Sequence, residues 1–157
     1  MNSSTKLVEY NAKLAPSFYE INAEWISSMF EIEPTDLDTL KKPDKIISSG
    51  GKIWFIESEK FGIIGTCALV KDSDGNFELS KMGVLKKARG LKAGEKLLKH
   101  VVEFVKTNKL SCYLLTNKKC EAAIHLYKKV GFQLDVDTLD QKGGRYDRCD
   151  VGMVLKY

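Results

Sequence analysis

The chain has 157 residues, 43% of them hydrophobic, with 25 Lys+Arg against 21 Asp+Glu and a net charge of +4. A domain of this length buries about 68–70% of its extended surface, so neither disulfides nor a structural metal is needed to stabilise it. Near-average composition excludes a disordered chain, and the longest apolar stretch, Phe61 to Val70, falls far short of the ~20 residues of a membrane span.

Lys6 to Tyr10 reads as a first strand, and Leu14 to Phe30 as a helix interrupted near its start by Pro16, with Phe18, Ile21, Trp25 and Met29 at helical spacing. Glu31 to Asp38 is acidic and contains Pro34, and a short second helix is expected before Pro43. The period then becomes extended. Ile53 to Ile56, Gly62 to Val70 and Phe77 to Val84 read as a three-stranded antiparallel meander, with Asp74-Gly75 as the strongest hairpin signal. From about Gly90 to Asn108 the pattern is helical: Leu97, Leu98, Val101, Val102 and Val105 oppose Lys92, Lys96, Lys99, Glu103 and Lys106. Leu110 to Thr116 follows as a strand, Glu121 to Val130 as a helix and Val151 to Leu155 as a last strand. Strand, helix, strand in succession requires a right-handed crossover, so Phe77–Val84 and Leu110–Thr116 are expected as parallel neighbours in a mixed α/β sheet. With no linker or repeat, residues 1–157 read as one domain.

Several functions are disfavoured by what these elements carry. The basic pairs, such as Lys41-Lys42 and Lys118-Lys119, are scattered and form no nucleic-acid arm. Cys67, Cys112, Cys120 and Cys149 form no C-x-x-C pair, and His100 and His125 have no ligand partner at i+4, so no metal is expected. Asp72-Ser73-Asp74-Gly75 is a turn, because Phe77 and Gly83 stand where a calcium loop needs its glycine and bidentate glutamate. The polar start, Met1 to Lys6, lacks the apolar region of a secretion signal, and a cytoplasmic location is the expectation.

The chemistry concentrates in Val84 to Glu95, where a strand turns into an amphipathic helix through two glycines and four cations. A helix start presents unpaired N–H groups and positive dipole charge, and glycine lets a phosphate approach the backbone. The dipole contributes only ~0.3–2 kcal/mol, so Arg89 and Lys92 are expected to supply charge for a diphosphate. The segment has neither the G-K-[ST] of a P-loop nor the G-x-G-x-x-G of a dinucleotide turn.

Arg89-Gly90-Leu91-Lys92-Ala93-Gly94, followed by Ala123-Ile124-His125-Leu126-Tyr127-Lys128-Lys129-Val130-Gly131-Phe132, resembles the GNAT N-acetyltransferase superfamily, which pairs an R/Q-x-x-G-x-G/A loop with an A-x-x-L-Y-x-x-x-G-F segment. Glu78 to Met82 and Tyr146 to Asp150 further look like a bacterial subgroup of it. One departure is Lys92, which stands where the family usually has its first motif glycine.

The resemblance implies a mixed, mostly antiparallel sheet of about six to seven strands, helices on both faces and a splayed parallel pair. It implies acetyl-CoA as donor, its pyrophosphate on the amides of Arg89, Gly90, Leu91, Lys92, Ala93 and Gly94, and its pantetheine arm beside Met82, Gly83 and Val84. Met82 and Val84 read equally as sheet core. Asn117 is either a pantetheine contact or a helix N-cap. Deprotonating an alkyl ammonium at pH 7 costs roughly 4.6 kcal/mol. Glu78 resembles the strand glutamate that serves as base in some relatives, the alternative being a carboxylate paired with Lys81. Tyr127 matches the tyrosine that meets the departing sulfur, the alternative being a packed aromatic. Trp25, Glu31, Glu33, Tyr146 and Arg148 are candidates for the acceptor site, and the acidic stretch Glu31 to Asp38 either draws a cationic amine or is ordinary loop composition beside Pro34. The expected activity is acetyl transfer from acetyl-CoA to a small-molecule or peptide amine by direct attack, in a monomer or homodimer, without metal, nucleic acid or membrane. A CoA-binding module without turnover is the alternative.

Overall fold

The computed structural model describes residues 4–157 and, at position 145, the backbone alone. Seven strands form one sheet in the order β1-β2-β3-β4-β5-β7-β6: β1 Thr5–Glu9, β2 Lys52–Ser58, β3 Gly62–Lys71, β4 Phe77–Val84, β5 Cys112–Thr116, β6 Phe132–Leu134 and β7 Val151–Leu155. All neighbours are antiparallel except β4 and β5. The expected meander is β2–β3–β4, and the expected parallel pair is β4–β5.

Strand periodicity divides the core in two. In β2, Ile53 and Phe55 face one way and Trp54 and Ile56 the other. Ile53 and Phe55 pack with Phe18 and Ile26 of α1 (Ala15–Met29), Leu40 of α2 (Pro34–Leu40) and Ile46 of α3 (Pro43–Ser48). Trp54 and Ile56 pack with Leu97, Leu98, Val101 and Val105 of α4 (Ala93–Thr107) and, further along the sheet, with Tyr127 of α5 (Glu121–Lys129). Each fully buried side chain of this size stabilises the fold by roughly 1.5–3 kcal/mol. No helix is long and apolar enough to cross a membrane among the described residues.

All three prolines sit in the first turns of α1, α2 and α3, where the missing N–H costs no helical bond. Pro16 therefore begins α1 instead of interrupting it, and Pro34 turns the acidic stretch into a helix. Three elements escape the sequence pattern: α3, which begins at Pro43, β6 and α6. β6 is three residues long with only Phe132 buried, and α6 (Val136–Lys142) has no apolar stripe. The cap fixes α6: Asp135 accepts from the Thr138 amide at 3.0 Å.

Candidate active site

Strands β4 and β5 pair only over Phe77–Leu79 and Cys112–Leu114. Beyond that point they part, and a cleft of about 760 Å³ opens between Ser80–Val84 on one side and Leu115–Asn117 on the other. Its far end is the glycine loop. Gly90 has φ +94° and nothing within 4 Å of a would-be Cβ, so the backbone there lies open to a ligand. Lys92 caps α4 with φ 56° and ψ 32°, the left-handed conformation that glycine adopts without strain. The amides of Ala93, Gly94 and Glu95 begin a 15-residue helix and have no partner within it. Arg89 and Lys92 are exposed on the cleft wall beside them. Open backbone, free amides and two cations together fit a diphosphate, a better match than any one of them provides.

Tyr127 of α5 lies on the cleft wall, 7% exposed, with its ring edge-on to Phe132 at 6.0 Å. Burial, and after it the neighbouring Cys67 and Cys120 thiols, push the phenol above its ordinary value, so it is a neutral donor.

The β4 strand carries a bulge. Thr66 of β3 faces Gly83 and Ala68 faces Ser80, which leaves Lys81 and Met82 opposite Cys67 alone, and Lys81 has φ 54°. Leu79, Met82 and Val84 pack on the α4 side, whereas Lys81 reaches Asp36 of α2 and Gly83 lies under Trp25 of α1. Glu78 and Ser80 line a cavity with residues of α2 and α3, so Glu78, Ser80, Lys81 and Gly83 share one face although their numbers change parity.

A buried ionic cluster holds this face. Asp36 is fully buried and accepts from Lys81 Nζ at 2.9 Å, from Arg148 Nη1 and Nη2 at 2.7 Å each, and from the Glu33 amide at 2.9 Å. Lys81 also donates to the Tyr146 hydroxyl at 3.0 Å, and Arg148 Nη1 to Glu33 at 2.9 Å. Burial alone would raise the Asp36 carboxyl, but the bonds from Arg148 and Lys81 outweigh it and hold it at about 2. Cys149 also lines the cleft, and burial pushes its thiol up to about 11 despite the nearby Arg148, leaving it protonated at neutral pH.

A family model described as an acetyltransferase (GNAT) domain matches residues 49–134, more than half of the chain and the stretch that carries the glycine loop and Tyr127. The chain belongs to the GNAT acetyltransferase family. An IAA acetyltransferase of Azospirillum brasilense is 34% identical over 100 residues, 62% of this chain; the chain spans 60% of the length of that curated relative. The GNAT-family acetyltransferase of Staphylococcus aureus MU50 has the same fold at TM-score 0.83 and 26% identity, over 98% of this chain and 100% of that one. PaiA N-acetyltransferase of Thermoplasma acidophilum, solved in complex with coenzyme A, matches in fold at TM-score 0.74 and 17% identity, over 98% and 99% of the two chains.

In this GNAT chain the cleft brings together Trp25, Glu78, Met82, Gly83, Val84, Arg89, Gly90, Lys92, Ala93, Gly94, Asn117, Tyr127, Tyr146 and Arg148. Glu31 is exposed and stands off the cleft wall, and the Leu91 side chain packs into the α4 core instead of lining it. Glu33 reaches the cleft only through Arg148. Asn117 donates to the Arg148 carbonyl at 2.6 Å and accepts from the Lys119 amide, while the N-cap of α5 is Cys120. Lys81 pairs with Asp36 rather than with Glu78, which is 3% exposed. Ser80, Lys81 and Cys149 also line the cleft, and Asp36 stands behind it, bonded to Lys81 and Arg148. The signal for Asp36 and Lys81 lies in pairing between α2, β4 and the segment before β7, which no local pattern encodes.

Proposed function

We propose that this protein transfers an acetyl group from acetyl-CoA to an amine by direct attack while both are bound. The observation that carries this reading is the parting of β4 and β5 into a cleft that runs from the glycine loop past Tyr127 to Glu78. PaiA, which shares the fold, was solved with coenzyme A, and the family match covers the same loop.

Acetyl-CoA, when bound, supplies an activated acetyl carbon and a thiol leaving group. The amides of Ala93, Gly94 and Glu95, with Arg89 and Lys92, hold its diphosphate. The edge of β4 released beyond Leu79 offers main-chain groups along the cleft, which orient an extended chain as an added strand does. Tyr127, neutral and with its phenol raised, donates a hydrogen bond to the sulfur. Full proton transfer from so weak an acid to a thiolate is uphill, so stabilisation of the departing thiolate is its contribution. Glu78, at the other end of the cleft from the glycine loop, takes up the proton of the acceptor ammonium, directly or through water.

Thiol release from acetyl-CoA across a panel of amines, with calorimetry of CoA binding, tests this. Tyr127→Phe is expected to lower kcat by about 10–100-fold while CoA affinity stays within about twofold, the signature of an interaction made in the transition state. CoA binding without turnover on any amine would leave a binding module. No heat at millimolar CoA would remove the reading altogether.

A further inference from the structure

Two of the four carboxylates of the acidic stretch Glu31 to Asp38 are already paired. Glu33 and Asp36 are neutralised by Arg148 and Lys81, and Glu31 is exposed and lines neither space. A second cavity, of about 370 Å³, lies on the α1–α3 side of β4. Glu78, Ser80 and Tyr146 line both it and the cleft, so these three residues are shared by the two spaces. Its outer wall is basic: Lys42 and Lys45 from α3 and the turn before it, and Lys71 from the end of β3. All three are exposed, and none is in an ion pair among the described residues. Asp38 is the one exposed carboxylate on that wall among the described residues.

We propose that the acceptor is an amine that also carries an anionic group, a carboxylate or a phosphate, entering through this second cavity with its amine toward Glu78 and its anion on Lys42, Lys45 and Lys71. The inference rests on the acetyl-transfer reading and names the substrate class of that same site. Three ammonium groups stand together at the outer end of this space, where an anionic group on the acceptor meets opposite charge. A polyamine would meet those ammonium groups with a second positive charge, and like charges at such distances repel.

Matched pairs that differ only in the anion test it: tyrosine against tyramine, and O-phosphoethanolamine against ethanolamine. The anionic member is expected to have a kcat/KM about 10–100-fold higher, the size of a charge-assisted hydrogen bond. Substituting Lys42, Lys45 and Lys71 together by Met is expected to raise KM for the anionic member with little change in kcat and none in CoA affinity. The two pairs distinguish a carboxylate from a phosphate. Binding is measured separately from turnover, by calorimetry of N-acetyltyrosine and N-acetyltyramine on the CoA complex. A preference for the anionic compound that the lysine substitutions abolish supports the proposal; equal or inverted preference overturns it, even where turnover stands. Absence of thiol release with every amine overturns the acetyl-transfer reading instead, whatever the binding preference.

Discussion

At the scale of single residues, Asp36 has the most consequence. It is buried and ionised, which is tolerable only because four donors surround it. Its folded value of about 2 lies below the ordinary 3.8, so its stabilisation is fully present above about pH 4 and is lost as pH falls through 2. Arg148→Met leaves that charge without its bidentate partner and is expected to cost about 3–5 kcal/mol at pH 7. Urea unfolding of both forms from pH 7 to 2 checks this: the gap between them is expected to narrow below pH 4, as protonation removes the buried charge. A gap that holds constant with pH would mean that Arg148 acts through packing alone. Lys92 shows how sequence and structure diverge at one position. The glycine expected there by resemblance is replaced, yet the backbone keeps the left-handed conformation, so the helix start and its amides are preserved at a strain cost of order 1–2 kcal/mol.

At the scale of elements, what the sequence discloses follows from the range of the forces that set each element. Helix α4 and the β2–β4 meander are legible because their apolar periods run for many residues and the Asp74-Gly75 turn is local. The glycine loop and Tyr127 are legible through motif, and both lie on the cleft wall. Helix α6 is illegible by period, since it is held by its cap and by contact with β7. Gly152 makes that contact possible: a Cβ there would lie 2.7 Å from the Leu139 nitrogen and 2.9 Å from the Asp135 carbonyl, both main chain. Gly152→Ala is therefore expected to destabilise by about 1–3 kcal/mol and to lower the melting temperature by about 3–10 °C. Gly144→Ala, with nothing within 4 Å, is the control and is expected to change little. Equal melting temperatures for the two would show that α6 does not pack on β7 as described.

For the molecule as a whole, the narrow join between β4 and β5 is the governing feature. Three register pairs connect a four-stranded block to a three-stranded one, and the cleft occupies the rest of the seam. A ligand lying in that seam touches both blocks and stabilises only the folded state. At one hundred times its Kd, CoA is expected to add about 2.7 kcal/mol, or about 5–10 °C in melting temperature. Thermal scans with and without CoA check the total, and amide exchange is expected to slow at residues 80–84 and 115–117. A shift below about 1 °C would mean that CoA does not bind the folded chain, and slowing confined to other residues that the seam is not where it lies.

The extra residue at Lys81–Met82 also governs how positions transfer between relatives. Stepping back in twos from Gly83, which lies under Trp25, to find which side chains share its face lands on Leu79 and Phe77, and the carboxylate at 78 goes unseen. A homologue with a regular strand presents its upstream half inside out, and the two chains become comparable only after a one-residue gap is opened at that point.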